Sequence, residues 1–171
     1  MRGPVGATLR DGRDLMAREI ERKFLVTGDG WRTNVVRSRA IAQAYIARGE
    51  QASVRVRIVD DAGGRLTVKG RVSGLSRDEF EYDVPLEDAR ALIGMRSGRL
   101  LAKRRYDVIE EGRLWEVDVF EGEFSGLVIA ECELEREDEA VTRPAWLGRE
   151  VTADPRYYNA ALAVQGLPSD Q

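Results

Sequence analysis

The sequence predicts an α+β domain dominated by antiparallel strands. Apolar and charged residues alternate over most of the chain, turn signals separate the alternating runs, and helical spacing is confined to two short segments. With 171 residues the chain is long enough for one domain and short for two. Hydrophobic residues make up 43% and charged residues 33%, so a core is possible in a chain unusually rich in charge.

Residues 1–15 are Gly- and Arg-rich without periodicity and read as a disordered extension, which leaves a single domain over 16–167. The first strand falls at 18–27, with Glu19, Glu21 and Lys23 on one side and Ile20 and Phe24 on the other. Gly28-Asp29-Gly30 ends it. Strands follow at 40–47, 52–59 and 65–70, the last two separated by Asp60-Asp61-Ala62-Gly63-Gly64. There Val54, Val56 and Ile58 oppose Arg55 and Arg57, and Leu66 and Val68 oppose Thr67 and Lys69. After the Gly70 to Gly74 turn, a strand at 77–84 sets Phe80 and Tyr82 against Glu79, Glu81 and Asp83. Leu86, Ala89, Leu92 and Ile93 recur at helical spacing, predicting a helix over Leu86–Gly94.

Strands at 101–110 and 113–121 turn at Glu110-Glu111-Gly112, and another occupies 127–136. Lys103 and Arg105 share a face; Glu116 and Asp118 oppose Trp115, Val117 and Val119; Glu131, Glu133 and Glu135 oppose Ala130, Cys132 and Leu134. Asp154-Pro155 begins a final helix, and Gly166 and Pro168 stop it. Eight antiparallel strands in one domain form a sandwich or a closed barrel.

The charges are sorted by strand: acids alone on 79–83, 116–118 and 131–135, bases alone on 55–57 and 103–105. A solvated face mixes signs, because like charges in sequence gain nothing. Two arrangements remain open on pattern alone. The charged side faces water, or a barrel gathers the rows around one lumen where acids hold metal ions and bases hold phosphates.

Composition closes several routes. A net charge of −3 argues against a general nucleic-acid binder, whose phosphate contacts need a basic surplus. With no histidine in the chain, metal chemistry falls to carboxylates and hard cations such as Mg²⁺ or Mn²⁺. The lone Cys132 has no partner for an internal disulfide, which fits a reducing, cytoplasmic setting and ordinary buried packing. No apolar stretch approaches the roughly 20 residues of a membrane span.

The opening Glu19-Ile20-Glu21-Arg22-Lys23 is a Glu-x-Glu-x-Lys motif. Same-face neighbours lie roughly 6.5–7 Å apart in a strand, so the two carboxylates repel unless a cation lies between them. It is followed in order by Arg55-Val56-Arg57, Lys69 in Leu66-Thr67-Val68-Lys69-Gly70, Glu79-Phe80-Glu81, Lys103-Arg104-Arg105, Trp115-Glu116-Val117-Asp118 and Glu131-Cys132-Glu133. From Met16 to Gly166 the chain resembles the CYTH-domain proteins, or triphosphate tunnel metalloenzymes. Its segments Glu19 to Val26 and Trp146 to Thr152 are most similar to the small bacterial members that hydrolyse tripolyphosphate.

The resemblance implies an eight-stranded closed β-barrel with a charged interior, flanking helices and a divalent metal, Mg²⁺ or Mn²⁺. It implies phosphate-binding roles for Lys23, Arg55, Arg57, Lys69, Lys103 and Arg105, and metal-ligand roles among Glu19, Glu21, Glu79, Glu81, Asp118, Glu131 and Glu133. Lys23, Glu21 and Tyr45 are the implied catalytic residues, Tyr45 also being readable as a packed aromatic. The expected activity is hydrolysis of tripolyphosphate to pyrophosphate and phosphate, by a monomer or homodimer acting on a small molecule. Thiamine triphosphatase, adenylate cyclase and a non-catalytic polyphosphate-binding module are the alternatives.

Overall fold

The computed structural model describes residues 20–70, 79–136 and 138–169. Glu19 and the expected extension over 1–15 lie outside that set, as do the first residues of the strands expected at 18 and 77. The strands are β1 (Ile20–Val26), β2 (Val35–Arg48), β3 (Ala52–Val59), β4 (Gly63–Gly70), β5 (Glu79–Val84), β6 (Leu101–Glu110), β7 (Arg113–Phe120), β8 (Val128–Leu134) and β9 (Leu147–Glu150). Two helices accompany them, α1 (Leu86–Gly94) and α2 (Asn159–Gln165).

All ladders are antiparallel, and they join nine strands in the order β5-β4-β3-β2-β6-β7-β8-β1-β9. The antiparallel architecture follows the alternation. The expected count of eight strands needs correction to nine. A ninth strand, β9, pairs with β1, and among the described residues no ladder joins the β5 edge to the β9 edge. β9 is only four residues long and half-buried, too short to carry a readable alternation.

The terminal helix is also divided. Asp154 caps a 3₁₀ turn at Pro155–Tyr157, Tyr158 is extended at φ −73°, ψ 136°, and α2 begins only at Asn159. The break places the Tyr157 ring in the core. β2 starts at Val35 rather than at 40, because β6 pairs with Arg37 and Arg39 and supplies their backbone partners.

Three apolar clusters pack the sheet. Val56, Ile58, Ala44 and Leu66 meet Ala89, Leu92 and Ile93 of α1 on the outside of β2–β4. Gly64 permits that approach, since a Cβ there would lie 2.3 Å from the Ala89 Cβ. Phe24, Trp115, Val117, Ala130 and Cys132 form the outer face of β1, β7 and β8, beneath Trp31 and Trp146. Phe80 and Tyr82, outside α1's cover on edge strand β5, stay exposed. The third cluster lies on the inner face. Tyr45, Leu101, Phe120 and Ile129 pack against Val151, Tyr157, Leu162 and Ala163, so the C-terminal segment fills one end of the curved sheet with apolar side chains.

Candidate active site

The curvature decides where the sorted charges go. Residues from β1 through β8 line one cavity of about 1110 Å³, together with Thr152 and Tyr158 to Ala160 of the C-terminal segment. Strand register builds its walls row by row. Tyr45, Arg55, Thr67 and Glu81 are successive partners across β2–β5, and Gln43, Arg57, Arg65 and Asp83 form the next row. On the other side Glu116, Glu131 and Lys23 are partners across β7, β8 and β1, with Glu133 opposite Glu21 one step along.

On the β1–β8 side the Lys23 ammonium donates to Glu131 at 2.5 Å and approaches Glu21 at 2.8 Å. Burial alone would lower the Lys23 pKa, but the Glu131 and Glu21 carboxylates outweigh it and raise the value. Arg105 donates to Asp118 through Nε and Nη2, both at 2.7 Å, to Glu131 at 3.0 Å, and to Glu116. Burial opposes its charge, but Asp118, Glu131 and Glu116 hold its pKa above the ordinary arginine value. For the Glu131 carboxyl, burial pushes upward, and Lys23, Lys103 and Arg105 bring it below its usual range.

The facing wall is organised differently. Lys69 pairs with Glu79 at 2.8 Å, and Arg55 donates to Thr67 at 3.1 Å with Glu81 at 3.8 Å. Arg57 donates through Nε and Nη2 to Gln43 Oε1, at 3.2 and 3.1 Å, and has no carboxylate partner among the described residues. Burial, then the neighbouring charges of Arg55 and Arg105, push its pKa down to about 10. A guanidinium so placed still carries its charge at neutral pH, so its desolvation stands as positive potential. The Nε atoms of Arg39 and Arg55 are buried donors without a partner among the described residues.

Residues 17–159 match the CYTH domain. The chain belongs to the CYTH-domain family. It is 45% identical over 148 residues to a protein of Acetivibrio thermocellus named inorganic triphosphatase, covering 86% of this chain and 94% of the relative. A second inorganic triphosphatase, from Nitrosomonas europaea, is 35% identical over 151 residues, covering 85% and 97%. A crystal structure of an inorganic triphosphatase superimposes with a TM-score of 0.69 at 33% identity, covering 90% of this chain and 99% of that one.

In this CYTH domain Lys23, Arg55, Arg57, Lys69 and Arg105 line the cavity, as do Glu21, Glu79, Glu81, Glu131, Glu133 and Tyr45. Lys103 and Asp118 do not. They are fully buried, and both Asp118 oxygens are taken by Lys103 and Arg105. Tyr45 belongs to the apolar end cluster while bordering the cavity. Cavity residues not anticipated include Arg37 and Arg39, on the part of β2 that precedes the strand expected at 40–47, and Arg65 and Thr67 on β4. Their signal was available: Arg37, Arg39, Gln43 and Tyr45 share one strand parity.

The family's divalent metal can be tested against the donors present. Glu21 and Glu133 are directly opposed across β1 and β8; Lys23 reaches the Glu21 carboxylate at 2.8 Å, and the like-charge pairing with Glu133 costs stability that a shared cation would offset. No described group of three acidic side chains is already close enough to hold an ion. Magnesium takes a few carboxylates and fills its remaining positions with water and phosphate oxygens, so the oxygen-only pair fits. Glu79 and Glu81, on the far wall, are occupied by Lys69, Thr67 and the arginines.

Proposed function

We propose that this CYTH domain hydrolyses inorganic tripolyphosphate to pyrophosphate and phosphate, using Mg²⁺ or Mn²⁺ held near Glu21 and Glu133. The observation that carries the reading is Arg57, a desolvated guanidinium anchored by a neutral amide on a wall shared with Arg55 and Lys69. A compact polyanion supplies what that wall lacks, and the triphosphatase names of the relatives support the choice. The sheet bends far enough for β5 and β8 to face one cavity, which supports a barrel-like enclosure closed at one end by the C-terminal apolar plug.

Arginine forks match phosphate oxygens in two-point contacts, so Arg55, Arg57 and Arg105 bind and orient the chain, with Lys69 adding a point charge. Lys23, already shared by Glu21 and Glu131, turns toward the attacked phosphoryl and offsets the charge that builds there. A water oxygen bonds to the terminal phosphorus as that phosphorus parts from its bridging oxygen, so phosphate forms, pyrophosphate departs, and the water's proton passes to the carboxylates around Lys23. When bound, the metal neutralises phosphate charge and acidifies water. Lys103 contributes through Asp118, which fixes the Arg105 fork.

A substrate panel tests the reading. Purified protein with Mg²⁺ or Mn²⁺ should release phosphate from tripolyphosphate faster than from ATP or thiamine triphosphate, and far faster than it forms cyclic AMP from ATP. Faster cyclisation, or tight binding without phosphate release under either metal, would overturn it.

A further inference from the structure

Gln43 is 0% exposed, an uncommon state for a polar side chain so close to a charged cavity. It stands on β2 directly opposite Arg57 on β3. Its Oε1 accepts two hydrogen bonds from Arg57, through Nε at 3.2 Å and Nη2 at 3.1 Å. Arginine can only donate, so the amide oxygen must face it and the amide nitrogen must face away. That nitrogen is buried and has no partner among the described residues.

The contrast with the neighbouring cations is chemical. Lys23, Arg39, Lys69, Lys103 and Arg105 each have a carboxylate within 3.0 Å. Arg57 is held by an uncharged acceptor, and unlike Arg55, whose bond to the Thr67 hydroxyl is joined by Glu81 at 3.8 Å, it has no carboxylate partner among the described residues, although a glutamate of the same length would fit the same bonds. A carboxylate there would hold the guanidinium equally well and cancel its charge. The amide fixes the direction of the fork and leaves its potential for an incoming anion.

We propose that Gln43 is a positioning residue that aims Arg57 at substrate phosphate while keeping the guanidinium uncompensated. The inference rests on the triphosphatase reading and names the residue that tunes its anion affinity. It predicts an ordering that packing alone would not produce. Gln43→Glu preserves shape and both hydrogen bonds, yet should weaken phosphate binding more than Gln43→Met, which loses the bonds and keeps Arg57 charged.

The test is calorimetric binding of tripolyphosphate in a chelator, where no turnover occurs, with melting temperature measured on each variant. Gln43→Glu should lose about tenfold or more in affinity, the scale of one charge-assisted phosphate contact, and its binding should depend less steeply on salt. In an Arg57→Ala background the same substitution should have little effect, because its route to substrate is gone. Wild-type affinity in Gln43→Glu, equal losses in Glu and Met variants, or additivity with Arg57→Ala would each overturn the inference while the wild type still binds. A wild type that neither binds nor hydrolyses tripolyphosphate would overturn the triphosphatase reading and this inference with it.

Discussion

Lys103 and Asp118 form an ion pair whose side chains are 0% and 1% exposed, next to the Arg105 guanidinium that lines the cavity. Asp118 thus serves two cations at once, Lys103 through Oδ2 and Arg105 through both oxygens. Burial pushes its pKa upward, and the two cations reverse that and hold the carboxyl below its ordinary value. Lys103 is lowered, by burial first and by Arg105 second, against the pull of Asp118.

Asp118→Asn should therefore be costly. It leaves two buried cations without their shared counter-charge, a defect on the order of 3–5 kcal/mol. Urea unfolding at pH 7 measures it, and a loss below about 1 kcal/mol would show that the pair contributes little.

Acid should unfold the protein for the same reason. Asp118 and Glu131 have folded pKa values below their unfolded ones, so their stabilisation is complete above about pH 5 and fades as pH falls through the folded values. Glu116, raised chiefly by burial, acts in the opposite sense: its contribution is present below its unfolded pKa and is lost as pH rises through the folded one. Urea midpoints from pH 3 to 7 should rise steeply at the acid end, less steeply in Asp118→Asn. A flat wild-type profile would contradict the pairing.

Lys23→Met should cut kcat for tripolyphosphate by about 10²–10³, the scale of removing one preorganised charge from a phosphoryl transition state. Near-ultraviolet circular dichroism should stay like the wild type. An unchanged kcat would remove Lys23 from the chemistry.

Chelation should abolish phosphate release, and added Mg²⁺ or Mn²⁺ should restore it. Glu133→Gln, which breaks the opposed carboxylate pair, should raise the metal concentration for half-maximal activity by about tenfold. Mn²⁺ binding followed by paramagnetic resonance should shift in parallel; unaltered Mn²⁺ affinity would place the ion elsewhere.

Salt should oppose substrate. Raising ionic strength from about 0.05 to 0.5 M shortens the screening length severalfold, so KM should climb while kcat moves less. A KM indifferent to salt would not fit a cavity lined by Arg55, Arg57, Lys69 and Arg105.

Much of the strand pattern was legible because its period is two and its turns carry glycine. α1 was readable to the residue, since Leu86, Ala89, Leu92 and Ile93 mark its buried stripe. β9 was not, being four residues at an edge where one partner strand suffices to hold it. Arg37 and Arg39 fell outside the strand expected at 40–47, although they share the parity of Gln43 and Tyr45, and β6 supplies their backbone partners. Parity correctly gave Lys103 and Arg105 one face, yet it carries no depth.

The chain alone determined which side chains share a face, because alternation is a local property of extended backbone. It also limited the metal chemistry to carboxylate oxygen, because no histidine exists to do otherwise. Tertiary structure decided how deep each charge lies and which partner it meets. That is why Lys103 is buried against Asp118 while Arg57, two strands away across β2, holds a neutral amide and an open charge. Depth and pairing arise from curvature summed over nine strands, and no short stretch of sequence contains that sum.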